Sequence, residues 1–177
     1  MHLELMRDPA VDFPSIAEPE SVRTLRVWHC RYRTLAPLMQ FRFLQAVDIA
    51  TYPDEMLEHI SNLNELRYLR ILHMPKVADL SPLENLWRLV TVSLSTLPSW
   101  DASRKRTVVR SIAPLTKLPA LEHVELLGVV PADRSLAPLE DVHGLKTGRF
   151  HGIPKKEKER FFRISGVAND FAPKPGF

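Results

Sequence analysis

The sequence predicts an α/β fold: a right-handed solenoid of about six coils, with one curved parallel sheet and short helices or turns on the opposite, convex side. Three observations predict it. A four-residue motif recurs as Leu35-Ala36-Pro37-Leu38, Leu80-Ser81-Pro82-Leu83, Ile112-Ala113-Pro114-Leu115 and Leu136-Ala137-Pro138-Leu139, with Leu57-Glu58-His59-Ile60 as a degenerate copy. Apolar runs spaced by three and then by two accompany it: Leu38, Phe41, Leu44, Val47, Ile49, then Leu63, Leu66, Leu69, Leu72, Met74, then Leu83, Leu86, Leu89, Val92, Leu94, then Leu115, Leu118, Leu121, Val124, Leu126, then Leu139, Val142, Leu145, Gly148, Phe150. Copies recur about every 20 to 25 residues, a period at which one unit cannot bury its apolar face alone and must stack on its neighbours.

Each element follows from this pattern. The last two anchors of a run lie two apart, which is the inward alternation of a short strand. The inward pairs are therefore expected at Leu25/Val27, Val47/Ile49, Leu72/Met74, Val92/Leu94, Val124/Leu126 and Gly148/Phe150. A full coil joins one strand to the next, so the strands are parallel. Proline in the motif suits the first turn of a short helix on the convex side, since its φ is preset and its missing N–H is not needed there. Thr34, Asp79, Ser111 and Ser135, three residues before those prolines, are cap-type side chains for the same turns. In the degenerate copy, Pro53-Asp54-Glu55-Met56-Leu57 reads as a helix start, with Asp54 as cap and a helix over about residues 54–62.

The interval between Val92 and Val124 is longer than the others, which places an insertion within residues 96–110 containing Pro98, Trp100 and the run Arg104, Lys105, Arg106. Insertions there rise from the edge of the sheet, where function concentrates. Residues 1–21 are assigned as an N-terminal cap, 22–150 as repeats, and 151–177 as a C-terminal cap and tail, all within one domain. Gly148 reads as a thinning last repeat. Residues 155–164 read as a charged helix after Pro154, with Phe161 and Phe162 covering the last coil and Gly166 ending it; residues 172–177 read as an irregular tail.

The spacing resembles the leucine-rich repeat family, whose consensus is LxxLxLxx(N/C)xL, and within it the bacterial internalin-like type with D-[IL]-S-P-L segments. Asp79-Leu80-Ser81-Pro82-Leu83 matches that segment, and the resemblance spans roughly residues 22–150. It implies a solenoid that serves as a surface for protein partners. The family's asparagine or cysteine position falls on Cys30, Tyr52, Val77, Leu97 and Val129, so only Cys30 fits. Without the side-chain ladder that this position supplies, curvature is expected to follow apolar packing.

Composition bounds the rest. A 177-residue chain of 45% hydrophobic content supports one continuous core. No apolar run approaches the ~18 residues of a membrane span, and the first eight residues have neither a basic nor an apolar stretch, so a cytoplasmic location is expected. Cys30 is the one cysteine, consistent with a reducing compartment and, at its repeat position, with a buried structural thiol. The net charge of +3 is unevenly spread: acids dominate residues 1–20, whereas Arg23, Arg26, Arg31 and Arg33, then Arg104, Lys105, Arg106 and Arg110, form basic stretches.

Outward strand positions compose the concave surface. Their expected central column is Arg26, Asp48, His73, Ser93, Glu125 and Arg149, with His123 in the column before and Trp28 in the column after. Mixed charge on a rigid sheet suits a protein partner, and these eight residues are the expected partner-binding set. Asp48, His73 and Ser93 would be neighbours in acid, base and nucleophile order, a remote hydrolase alternative that an open sheet without oxyanion donors disfavours. His73, His123 and Glu125 as a metal site are disfavoured by the distance between their strands, and no cofactor motif is present. Arg31, Arg33, Arg104, Lys105 and Arg106, with Trp28, Trp100, Tyr32 and Tyr52 on the same edge, give a nucleic-acid or polyanion alternative. The expected function is a monomeric, non-enzymatic intracellular binder, such as an adaptor or immunity protein, for an unidentified protein.

Overall fold

Spacing by three has a direct backbone cause. In each repeat the anchors are themselves joined by successive i→i+3 hydrogen bonds. Leu38 donates its N–H to Leu35 O, Phe41 to Leu38 O and Leu44 to Phe41 O, at 2.9, 3.0 and 3.1 Å. The same series links Ile60, Leu63 and Leu66, then Leu83, Leu86 and Leu89, then Leu115, Leu118 and Leu121, then Leu139, Val142 and Leu145. With three residues per turn, side chains at i and i+3 eclipse, so every anchor of the series faces the same way, into the core.

The computed structural model describes residues 1–175; the last two residues of the expected tail lie outside the described residues. On the convex side 3-10 helices occupy Ala36–Gln40, Ser81–Asn85, Ala113–Lys117 and Ala137–Asp141, each with the motif proline near its start. The four cap-type side chains act as expected. Thr34, Asp79, Ser111 and Ser135 accept from the N–H two residues on, at 3.0, 2.9, 3.0 and 3.1 Å. The degenerate copy departs from expectation: its helix, α1 (Glu58–Ser61), is a single turn, and Asp54 does not cap it. Asp54 Oδ2 instead accepts from Leu35 N–H at 2.8 Å, tying this coil to the one before.

Seven parallel strands form the main sheet of the described residues in chain order: β1 (His2–Met6), β2 (Thr24–Trp28), β3 (Ala46–Ala50), β4 (Tyr68–Leu72), β5 (Thr91–Ser95), β7 (His123–Leu127) and β9 (Thr147–His151). This is one strand more than the anchors indicate, because the N-terminal segment contributes β1. Two shorter strands, β6 (Thr107–Val109) and β8 (Val129–Pro131), pair in parallel beside it.

The register corrects one repeat. Val47 pairs with Leu69 and Ile49 with Ile71, so the inward pair of β4 is Leu69/Ile71 and not Leu72/Met74. Leu72 faces outward and is half-buried, while Met74 is buried in the turn beyond the strand. The core then reads as stacked columns, with Leu25, Val47, Leu69, Val92 and Val124 all 0% exposed.

The insertion after β5 holds a short helix, α2 (Pro98–Ala102), before β6. Helix α3 (Lys155–Ser165) closes the C-terminal end and stops at Gly166, whose φ of +69° is left-handed. Phe161 and Phe162 pack on Phe150 with ring centroids 5.4 and 5.7 Å away. Gly148 is required there, since a Cβ would lie 2.8 Å from the Phe150 ring. Thus the last coil is filled by aromatic rings from the helix rather than thinned. Glu157 docks α3 as Asp54 docks its own coil, accepting from Leu136 N–H at 2.7 Å. Hydrogen bonds from Arg160 pull the Glu157 carboxyl down to about 2, despite the burial that opposes this.

Mid-solenoid anchors touch both neighbouring coils. Leu69→Ala and Leu89→Ala, both 0% exposed, are therefore expected to cost about 2 to 5 kcal/mol each, whereas exposed Lys76→Ala stays within about 0.5 kcal/mol. Urea unfolding followed by circular dichroism checks both values.

Candidate interaction face

Register decides what the concave face presents. Its central column is Glu4, Arg26, Asp48, Arg70, Ser93, Glu125 and Arg149, each Cα paired with the next. Arg70 takes the place expected for His73. The signs alternate along the first four strands, and the side chains bond across them. Arg26 reaches Glu4 at 3.1 Å and Asp48 at 3.3 Å, and Arg70 reaches Asp48 at 3.3 Å. Asp48 is only 2% exposed, and two guanidinium groups offset its burial. Trp28 lies against the same pair, with Arg26 and Arg70 5.7 and 5.4 Å from its ring.

Beyond β4 the ladder changes partner. Ser93 donates to Glu125 Oε2 at 2.6 Å, and Glu125 Oε1 accepts from Ala172 N–H at 2.8 Å, a residue of the C-terminal segment. Arg149 donates to the Asn169 side-chain carbonyl at 3.2 Å and lies 4.8 Å from the Phe171 ring. The end of the chain therefore crosses the concave face from β9 to β7.

His73 sits one residue past β4, with a φ of +70°. It is buried, its ring meets Trp100 edge to face at 4.7 Å, and Nδ1 has no hydrogen-bond partner among the described residues. Burial lowers its pKa. The acid, base and nucleophile arrangement is therefore not assembled: Asp48 is held by two arginines, Ser93 by Glu125, and His73 by Trp100 of α2. His73, His123 and Glu125, disfavoured as a metal set, are likewise not brought together: His73 lies just past β4, and His123 and Glu125 lie on β7. His123 bonds Thr147 Oγ1 at 2.9 Å, and burial lowers its pKa too. No group of three or more metal-ligating side chains occurs among the described residues.

The predicted basic and aromatic edge also separates. Tyr32 and Tyr52 are buried, their hydroxyls bonded to Asp8 and to Met56 O at 2.7 and 2.9 Å. Arg33 pairs with Asp12 at 2.6 Å, and Arg106 with Asp101 at 2.9 Å, while Lys105 lies 5.9 Å from the Trp100 ring. Arg31 and Arg104 are exposed. Three strand positions, about 14 Å, lie between the coil that carries Arg31 and Arg33 and the coil that carries the insertion. Cys30, expected to be buried, is only half-buried, with Sγ 3.3 Å from Leu5 O.

What sequence reasoning missed is the cleft that the insertion creates. A cavity of about 950 Å³ opens between α2, α3 and the C-terminal segment. Leu72, Leu127, Phe162 and Phe171 supply its apolar lining, and Arg70, Arg149 and Lys158 give it a cationic rim. Leu72 and Leu127 are outward positions at the ends of β4 and β7, on either side of Ser95, and their apolar character at outward positions was the available signal.

Fold and concave face together define a leucine-rich repeat solenoid. No family model matches the chain, and no curated protein matches it. Solved structures do. Internalin C2 of Listeria monocytogenes is similar with a TM-score of 0.53 and 25% identity, over 71% of this chain and 50% of that one. An internalin of the same organism, inlF, gives 0.54 at 19% identity over 72% of this chain and 34% of that one. The chain thus spans half or less of either protein's length. No helix among the described residues is long and apolar enough to cross a membrane.

Two outcomes test the electrostatics. A double-mutant cycle on Asp48→Ala and Arg70→Ala is expected to give a coupling of about 1 kcal/mol, kept small because Arg70 is a third exposed, and to weaken with added salt. For His73, burial lowers the folded pKa below the ordinary ~6.5. The neutral ring thus contributes its full stability above ~6.5 and loses it as pH falls below that value. The cost of His73→Asn, measured from urea midpoints, should therefore be smaller at pH 5 than at pH 7.5.

Proposed function

We propose that the chain is a protein-interaction module that holds its partner on the concave face, without chemistry of its own. The cleft carries this reading: an apolar floor rimmed by guanidinium and ammonium groups, set on a rigid sheet, buries a partner's side chains at little entropic cost. Of the eight residues expected to bind, Arg26, Trp28 and Arg149 are the proposed direct contacts. Asp48 and Ser93 are buried and act by holding Arg26, Arg70 and Glu125 in place, and His73 positions α2 through Trp100. The proposed subtype is the internalin-like, S-P-L-containing repeat, supported by Asp79-Leu80-Ser81-Pro82-Leu83 and by the 25% identity to internalin C2. An intracellular adaptor or immunity-type binder is the proposed context, supported by the lone, structurally placed cysteine. The polyanion reading loses ground because Arg33 and Arg106 are already paired with acids.

The test captures the partner from source cells, then titrates the purified partner by calorimetry. Trp28→Ala and Arg149→Ala, each shown to fold, are expected to lose binding, Trp28→Ala by about 2 kcal/mol. The convex change Trp87→Ala is expected to bind like the parent. The reverse pattern would overturn the concave assignment.

A further inference from the structure

The way the chain covers its own concave face indicates what else would fit there. After α3 the backbone runs alongside β9: Ala168 bridges Thr147, and Gly148 N–H donates to Ala168 O at 2.9 Å. The next residues then turn across the face. Asn169 gives its side-chain carbonyl to Arg149, Phe171 stacks on the same guanidinium, and Ala172 gives its backbone N–H to Glu125. Asp170 is exposed, and its carboxylate accepts from Phe171 N–H at 2.7 Å.

Two of these contacts are weaker versions of better ones. Arg149 ends the column of charges, yet it meets a neutral carboxamide through one bond of 3.2 Å, where a carboxylate would engage the guanidinium fork twice. Phe171 remains 57% exposed at the edge of the cleft of about 950 Å³, whose apolar lining it shares with Leu72, Leu127 and Phe162, so its ring borders the cleft without filling it. Around this cleft Asp101 is occupied by Arg106 and His151, and Glu159 by Lys155, so Arg149 and Lys158 tip the rim toward positive charge.

We infer that this face is a recognition site for an extended segment of a partner protein with a carboxylate residue two positions before an aromatic one, and that residues 169–172 are the chain's own, weaker occupant of it. The carboxylate pairs with Arg149, the aromatic ring enters the cleft, and the following backbone N–H bonds Glu125. The inference rests on the concave face being the interaction surface. An internal occupant lowers the apparent affinity for the partner by the fraction of time it is bound, so the partner segment must displace Phe171 and Ala172 to bind.

The test uses the full chain and a fluorescein-labelled peptide, Val-Ala-Asp-Asp-Phe-Ala-Pro-Lys, followed by fluorescence polarisation. This peptide copies residues 167–174 but carries aspartate in place of Asn169. It is expected to bind the Phe171→Ala chain about fivefold tighter than the parent, since the substitution weakens the internal occupant. Adding Arg149→Ala is expected to cost about tenfold or more. On the peptide side, restoring asparagine weakens binding and replacing phenylalanine by alanine abolishes it, results that depend on no folding question in the protein. Amide exchange at Ala172 should quicken when peptide is added to the parent. Absence of saturable binding, or binding indifferent to Arg149 and to the peptide's phenylalanine, overturns the inference. If the captured partner still depends on Trp28 and Arg149 while the peptide fails, the segment chemistry is wrong and the module reading stands; if both fail, both are wrong.

Discussion

One residue in the left-handed conformation after nearly every strand is the constraint on which the rest of the structure depends. Arg7, His29, Thr51, His73, Gly128 and Gly152 each follow the last residue of a main-sheet strand, with φ between +51° and +89°. The chain must leave the sheet sharply to reach the convex side within one coil, and a left-handed step does this in a single residue. Four of the six are not glycine, and each of those pays about 1 to 2 kcal/mol for the crowding of its Cβ. Stacking offsets this cost, because Thr51 N–H donates to Leu72 O and His73 N–H to Ser95 O, each holding one turn on the next at 2.7 Å. Among the described residues, β5 is the exception: Thr96 follows it without a positive φ, and there the chain departs into α2. The break in the turn rule and the wall of the cleft are thus one event.

Equal turns keep the strands in register, and register makes the electrostatics. Because Glu4, Arg26, Asp48 and Arg70 pair Cα to Cα, each charge faces an opposite one across about 4.8 Å, and a carboxylate as buried as Asp48 is tolerated. A slip of one residue would turn these groups into the core. The N-terminal half of the face is therefore closed by its own pairing. After β4, Ser93 interrupts the alternation, and Glu125 and Arg149 turn to the C-terminal segment instead of to each other.

The fold was legible because three-residue spacing and the proline motif both report one backbone device, the series of 3-10 turns. The helix α3 and its stop at Gly166 were legible from charge, Phe161, Phe162 and the glycine. The third repeat was misread where Tyr68-Leu69-Arg70-Ile71-Leu72-His73-Met74 offers two apolar pairs spaced by two. Counting from Ile60, as the other copies count from Leu38 or Leu83, selects Leu69/Ile71 and places Arg70 outward. That single shift replaced a histidine by an arginine in the central column. The left-handed turns left only Gly128 and Gly152 as visible traces, since arginine, threonine and histidine do not announce a positive φ.

The cleft was out of reach of repeat arithmetic because no repeat owns it. Its walls come from an insertion, from the cap helix and from a segment with no regular structure, and these meet only because the insertion leaves after β5 while the tail returns past β9 to β7. The same aromatic packing that ends the solenoid also shapes this opening. Phe150 takes the space that Gly148 leaves, Phe161 is wholly buried behind it, and Phe162, only partly covered, remains to line the cleft. Capping the core and building a binding surface therefore draw on one cluster of rings, which sets the open part of the concave face at the C-terminal end rather than at its middle.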